Sequence, residues 1–268
     1  MPELPEVETI VRGLGPRLVG RRLHHLELPQ PRVLRNDISR AAGCTITAVR
    51  RWGKHIVIDL RRARSTSHLL IHLGMTGQLL LQAEPGRHTH ALFHLDGGLT
   101  LLFNDIRQFG RLEWAAQLPR RLTRLGPEPL ELSEDEFVRR LRSRRSLLKP
   151  LLLNQEFLRG LGNIYADEAL FRARLHPRAS TSRLRASRAR ALYRAIVDVL
   201  TESIRCGGTS ISDYVASDGR RGRFQLRLQV YGRTGEPCPA CGARIRRIVV
   251  ASRGTHFCPQ CQLLRRSR

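Results

Sequence analysis

The sequence predicts an α+β chain of two domains: an amino-terminal helix with an antiparallel β-sandwich or barrel, then a helical domain closed by a zinc-bearing β-hairpin. Three observations predict it. Short segments of alternating apolar and polar residues crowd the stretch between Arg21 and Trp114. Helical periodicity replaces them after a proline-rich interval, and four cysteines in C-x2-C pairs stand near the carboxyl end.

The elements follow in order. Residues 2–15 read as a helix, because Val7, Ile10, Val11 and Leu14 make an apolar stripe at i, i+3, i+4, i+7. Pro5 suits the first turn, and Glu6 and Glu8 suit the positive end of the dipole. Strands are expected at Thr45–Arg50, His55–Leu60, His68–Leu73, Gln78–Gln82, Ala91–Leu95 and Leu99–Asn104, with Asp96-Gly97-Gly98 as a hairpin turn. The resulting division is a domain at 2–117, a linker at 118–132 holding Pro119, Pro127 and Pro129, a helical domain at 133–232 and a cysteine module at 233–268. Within the helical domain Ser133 caps a helix with acids in its first turn. Leu147–Gln155, Ile164–Ala173 and Ser182–Cys206 follow, and Gly207-Gly208 stops the last.

Composition narrows the partner. The formal net charge is +24, which favours a polyanion, nucleic acid first; a merely solvated basic surface is the alternative. Aromatic residues are only 5%, which argues against a single-strand binder built on stacking platforms. No apolar run is long enough to span a membrane and no signal pattern opens the chain, so a cytoplasmic protein is expected. Of 47 basic residues only Lys54 and Lys149 are lysines, in a chain that otherwise uses arginine for its cations. Lysine is a compact acid that can lose its proton when buried, so both positions invite a specific role. Cys44 and Cys206 are isolated and read as apolar filler.

Three stretches carry chemistry. Cys238, Cys241, Cys258 and Cys261 form C-x2-C, sixteen residues, C-x2-C, the spacing of one tetrahedral, structural zinc ion. Between the pairs, Ile245–Val250 reads as a strand and Ser252–Thr255 as a turn, placing Arg253 near a hairpin tip able to enter a DNA groove. Gly160-Leu161-Gly162-Asn163 is a turn running into a helix, with Asn163 as the cap and its amides suited to a phosphate. At the amino terminus, removal of Met1 would make Pro2 a secondary amine titrating at ~7.7–8.0, against ~10.4 for lysine. Such an amine can attack a sugar's anomeric carbon and give an iminium, with Glu3 and Glu6 beside it as proton-transfer groups.

The opening MPELPEVETIVRGL resembles that of the formamidopyrimidine-DNA glycosylases, and motifs in the same order extend the resemblance from Pro2 to Gln262. The resemblance implies a β-sandwich followed by a helix-two-turn-helix domain. It implies a bifunctional repair enzyme that removes oxidised purines from duplex DNA through Pro2, with Glu3 as acid and Glu6 holding the site. Lys54 and Arg253 would assist the two phosphate eliminations. Met75, Arg107 and Phe109 would fill the space left by the flipped base, although spacing alone would bury Met75 and Phe109. His88, Arg144, Lys149 and Asn163 would contact DNA, the flexible loop from Ser217 to Phe224 would close over the base, and the enzyme would act as a monomer. Gln108 departs from the family, which often has a basic residue there, so a phosphate contact at that position is in doubt. A preference for oxidised pyrimidines, or a zinc-bearing DNA-binding protein without catalysis, stays open.

Overall fold

The computed structural model describes residues 1–211 and 213–264. The last four residues of the cysteine module lie outside that range. The chain folds into two compact units: Met1–Arg124 with Ser203–Gln225, and Leu125–Glu202 with Leu226–Arg268.

The first unit is a helix on a β-sandwich. Helix α1 (Leu4–Leu18) buries Val7, Ile10, Val11, Leu14 and Leu18. Each such side chain is worth roughly 1.5–3 kcal/mol when taken from water. Strands β1 (Leu23–Glu27), β2 (Thr45–Trp52), β3 (His55–Arg62), β4 (Ser65–His72), β5 (Gln78–Leu81), β6 (Thr89–Leu95), β7 (Thr100–Asn104) and β8 (Arg111–Ala115) form two antiparallel sheets, ordered β2-β3-β4-β8 and β1-β6-β7-β5. Alternation explains the core they share: Ile56, Ile58 and Leu60 from one sheet meet Ala91, Phe93 and Leu95 from the other, with α1 closing the layer. Strand β1 has no clear alternating pattern in the sequence, β8 alternates but is not among the expected strands, and a short helix α2 (Arg120–Thr123) sits inside the expected linker.

The second unit is helical. It holds α3 (Glu134–Arg142), α4 (Leu148–Leu153) and α5 (Asn163–Arg172), while α6 (Ala186–Arg205) carries the chain back toward the first unit's sequence. Ser133 caps α3 as expected, its hydroxyl accepting from the Glu136 amide at 3.2 Å. Glu168 on α5 is buried, and its carboxylate collects the amides of Gln229, Val230 and Tyr231 at 2.9–3.1 Å. Those three amides are held in a segment that lacks regular structure of its own. Strands β9 (Arg246–Val250) and β10 (Arg253–Phe257) form the terminal hairpin.

One expectation is corrected here, the position of the hairpin turn. The stretch Ser203–Gln225 groups by its contacts with the first compact unit. The amide of Thr209 bonds to Glu6, and the carbonyl of Ser217 accepts from Leu81 of β5 at 2.9 Å. The hairpin turn is Ala251-Ser252 alone, both left-handed (φ 50° and 57°), and Arg253 pairs with Val250 as the first residue of β10.

Candidate active site

The head of α1 is a buried knot of polar groups. Pro2, Glu3 and Leu4 are all buried, with Glu3 in extended conformation as the cap residue. A capping box joins Glu3 to Glu6: Glu6 Oε2 accepts from the Glu3 amide at 2.8 Å. Glu6 Oε1 accepts from the Thr209 amide at 2.7 Å, so both of its oxygens face donors. Gly208 makes this approach possible. It has φ 84°, and a Cβ there would stand 3.0 Å from Glu6 Oε1. The Tyr214 hydroxyl reaches the carbonyls of Gly207 (3.1 Å) and Glu6 (3.3 Å), and burial together with the Glu6 charge pushes its pKa far up. It therefore stays a donor. Below the knot, Glu8 receives Arg51 at 2.8 Å and Arg12 at 2.7 Å; burial raises its pKa, but those bonds outweigh it and hold the carboxyl below the usual range.

Two loops of the same unit interlock. Gly74 (φ 61°) lies so close to the other loop that a Cβ would fall 2.5 Å from the Phe109 carbonyl carbon. Asp105 organises the second loop. It is fully buried, takes the Gly110 amide at 2.6 Å and the Arg107 amide at 3.3 Å, and is also bonded by the Thr76 hydroxyl. Phe109 and Met75 are 49% and 40% exposed, which overturns the core placement that spacing alone gives them. Arg107 stacks on Phe109, its guanidinium carbon 4.7 Å from the ring centre. Such a cluster of exposed apolar and planar groups on a rigid base is suited to insertion into a base stack. Gln108 is left-handed (φ 58°), and its carbonyl accepts from Arg111 at 2.8 Å. His88, expected on DNA, is half-buried and lies behind this loop, its carbonyl accepting from the Asp105 amide at 3.0 Å.

Lys54 occupies the two-residue turn between β2 and β3. Nearby, His55 and His72 face each other across β3 and β4 with ring centres 4.7 Å apart. Both border a cavity of about 460 Å³ that Arg35, Arg111 and Arg121 also line. Burial, then the neighbouring charges, lowers His55 to about 3 and His72 to about 4. His72 Nδ1 accepts from the Gly74 amide at 3.1 Å, which puts its proton on Nε2.

In the second unit Lys149 departs from expectation. It is fully buried, and its Nζ donates to Asp167 (2.6 Å), Thr255 Oγ1 (2.8 Å) and the Gly254 carbonyl (3.3 Å). An ammonium with three internal acceptors and no exposure presents no face to a DNA phosphate in this structure; it joins α4, α5 and β10. Asn163 is the first residue of α5, and Gly162 is the cap in its place. Its Nδ2 donates to the same Gly254 carbonyl at 3.0 Å, while Oδ1 is buried without a hydrogen-bond partner. Arg144 and Arg253 are exposed.

The four cysteines pass a geometric test for zinc. Their sulfurs all lie within 4.8 Å of one another, with Cys238–Cys261 at 3.9 Å and Cys241–Cys258 at 3.4 Å. A tetrahedron with Zn–S bonds near 2.3 Å has edges of about 3.8 Å. Amides of Ala240 and Cys261 point at Cys238 and Cys258 sulfurs, each at 3.4 Å, as thiolate ligands require.

Comparison with known proteins decides the family. The profile of the formamidopyrimidine-DNA glycosylase N-terminal domain matches residues 1–112, that of the family's H2TH domain residues 125–215, and a zinc finger found in FPG and IleRS residues 235–263. A formamidopyrimidine-DNA glycosylase of Solibacter usitatus is 55% identical, over 98% of this chain and 99% of that protein. The chain belongs to the formamidopyrimidine-DNA glycosylase family. A crystal structure of MutM (FPG) from Thermus thermophilus superposes with a TM-score of 0.88 at 47% identity, covering 97% of this chain and 98% of that one. A Lactococcus lactis Fpg in complex with abasic-site DNA gives 0.88 at 38% identity over 98% and 100%.

Within this glycosylase family member the cysteine site is a zinc finger holding one structural zinc ion. With four protein thiolates the ion has no open position, so it supplies rigidity to the hairpin and no reaction chemistry. Sequence reasoning missed Asp105, Asp167, Thr209 and Tyr214. Asp105 stands two residues before Arg107, where nothing local marks a buried acid. The others act across 18 to 208 residues of chain, a separation that no local pattern marks.

Proposed function

We propose that the chain is a bifunctional DNA glycosylase and lyase acting on oxidised purines, chiefly 8-oxoguanine and formamidopyrimidines, in double-stranded DNA. The observation that carries the reading is the knot at the head of α1. Pro2 and Glu3 are adjacent and buried, and the carboxylate of Glu6 ties them to the turn at Thr209. In this reading Met1 is removed and the Pro2 nitrogen attacks the anomeric carbon while Glu3 protonates the sugar ring oxygen. The base leaves, and the resulting iminium acidifies the neighbouring sugar hydrogen. The 3′ and then the 5′ phosphate are eliminated, with Lys54 assisting the first step and Arg253 the second. Glu6 holds the geometry. Met75, Arg107 and Phe109 occupy the emptied stack, Arg107 facing the orphaned cytosine. His88, Arg144 and Asn163 meet the backbone, and the Ser217–Phe224 turn lies against the extruded base. Lys149 has no DNA contact in this scheme. The enzyme works as a monomer in the cytoplasm. Among the described residues no helix is long and apolar enough to cross a membrane.

The test is reductive trapping on a duplex with one 8-oxoguanine opposite cytosine. Borohydride should freeze the iminium as a covalent adduct whose peptide begins at Pro2. A protein with a free Pro2 that binds the duplex and gives no adduct, or an adduct on Lys54, refutes the assignment.

A further inference from the structure

On the outer face of the β1-β6-β7-β5 sheet, His25, Glu27 and His94 converge. The register sets His25 opposite His94 on neighbouring antiparallel strands. Glu27, two residues beyond His25, shares that face, while Phe93 is buried in the core and Leu26 packs against it. Thr100 of β7 stands opposite His94, extending the row to a third strand. The two imidazoles stack with centroids 4.2 Å apart and planes 13° from parallel. Glu27 Oε1 lies 2.8 Å from His94 Nε2 and 3.7 Å from His25 Nε2, and the three ligand atoms fit within 4.8 Å. His94 Nε2 is screened from solvent yet makes no hydrogen bond, so the short approach of Glu27 lies off the direction an N–H donor would take. On the far side of the ring, His94 Nδ1 faces Thr100 Oγ1 at 3.4 Å. Side chains of His25 and Glu27 are 62% and 57% exposed, so the cluster opens outward.

Two imidazoles and a carboxylate are the donor set of borderline divalent ions such as Zn²⁺ and Ni²⁺. Two donors, each roughly 2.0–2.1 Å from one ion, sit about 2.9 Å apart at a right angle and about 3.4 Å apart at a tetrahedral one. The Glu27–His94 spacing already matches the first edge. The Glu27–His25 spacing needs a contraction of a few tenths of an ångström, and the His25 ring, stacked nearly parallel on His94, must turn so that its in-plane lone pair meets the same ion; both movements are open to an exposed side chain. Thr100 plays the part of an outer partner: with Nδ1–H donated to its hydroxyl, the His94 Nε2 lone pair faces the cluster.

We propose that His25, Glu27 and His94 form a second metal site, separate from the four cysteines, for one zinc-class divalent ion. The ion clips the edge strand β1 to β6 and keeps coordination positions open to water or a small ligand.

The test uses the full chain carrying one zinc per molecule, checked by elemental analysis, and titrates it with Zn²⁺ in a calorimeter at pH 7.5. One further equivalent is expected, with a rise in melting temperature. His25→Asn and His94→Asn each weaken it at least tenfold, Thr100→Ala weakens it roughly ten- to a hundredfold, and His24→Asn leaves it unchanged. Ring ¹⁵N spectra of the unsubstituted protein give a readout independent of variant folding: the Nε2 signals of His25 and His94 should move on zinc addition. No second equivalent, a second equivalent that survives His25→Asn/His94→Asn, or unmoved ring signals overturns the proposal.

Discussion

Replacing Lys149 by methionine removes an ammonium that sits wholly inside the second unit and keeps most of the side chain's volume. Asp167 then loses its 2.6 Å partner and retains only the His256 amide at 2.8 Å and the His256 ring at 3.3 Å. Breaking a buried pair on one side costs about 3–5 kcal/mol, because the remaining charge is stranded. For a unit of about 120 residues this corresponds to a fall in melting temperature of roughly 10–20 °C. Adding Asp167→Asn removes the stranded charge and keeps an acceptor for the His256 amide, so the double variant should recover more than half of the loss. The competing idea, a phosphate contact, makes a different prediction. It leaves the melting temperature in place and reduces the slope of log affinity against log salt by about 0.9, the share of one phosphate. Calorimetric melting and DNA titration at several salt concentrations separate the two. A variant that melts normally and loses salt slope would refute the buried-pair account.

Three further outcomes follow from the geometry. Glu6→Gln offers one carbonyl oxygen to two amides, so Glu3 or Thr209 faces an NH2 group; a stability loss of about 1–3 kcal/mol is expected, with a drop in borohydride-trapped adduct. His55 and His72 are held neutral in the fold, with pKa values lowered to about 3 and about 4, while the unfolded chain takes up their protons below about 6.5. Stability should therefore be level above that pH and fall as pH drops toward 4 and then 3, by a few kcal/mol in all; urea midpoints against pH should show the slope, and His55→Asn should flatten it. Stripping zinc with a chelator, or Cys258→Ser, should unfold the hairpin and lose DNA affinity in a gel-shift assay, and restoring zinc to the stripped protein should reverse both.

The first unit was legible because its elements bury one face each. The stripe of α1 and the alternation of β3, β6 and β7 identify themselves. Strand β1 did not, since His24-His25 interrupts the alternation, whereas Arg111-Leu112-Glu113-Trp114 of β8 does alternate yet is absent from the expected strands. The cysteine site and the Pro2–Glu3–Glu6 cluster were readable for a similar reason: their partners are near in sequence. The DNA contact expected of Lys149 rests on the family resemblance, and the acid that pairs with it inside the second unit, Asp167, gives no local sign. The hairpin turn was placed late because left-handed backbone at Ala251 and Ser252 is carried by residues that do not advertise it.

The return of Ser203–Gln225 to the first unit has a consequence for how the protein is made. Helix α1 leaves the ribosome well before Thr209, whose amide donates to Glu6 from 203 residues farther along the chain. At 5–20 residues per second the wait is roughly 10–40 s. The second unit is likewise assembled from two separated stretches, with Leu226–Arg268 made after the Ser203–Gln225 segment of the first. Neither unit can be produced intact as one contiguous fragment. A truncation at Arg124 would keep both sheets and lose the Thr209 amide that secures the head of α1, so a nascent chain completes that polar knot only after Thr209 has been made.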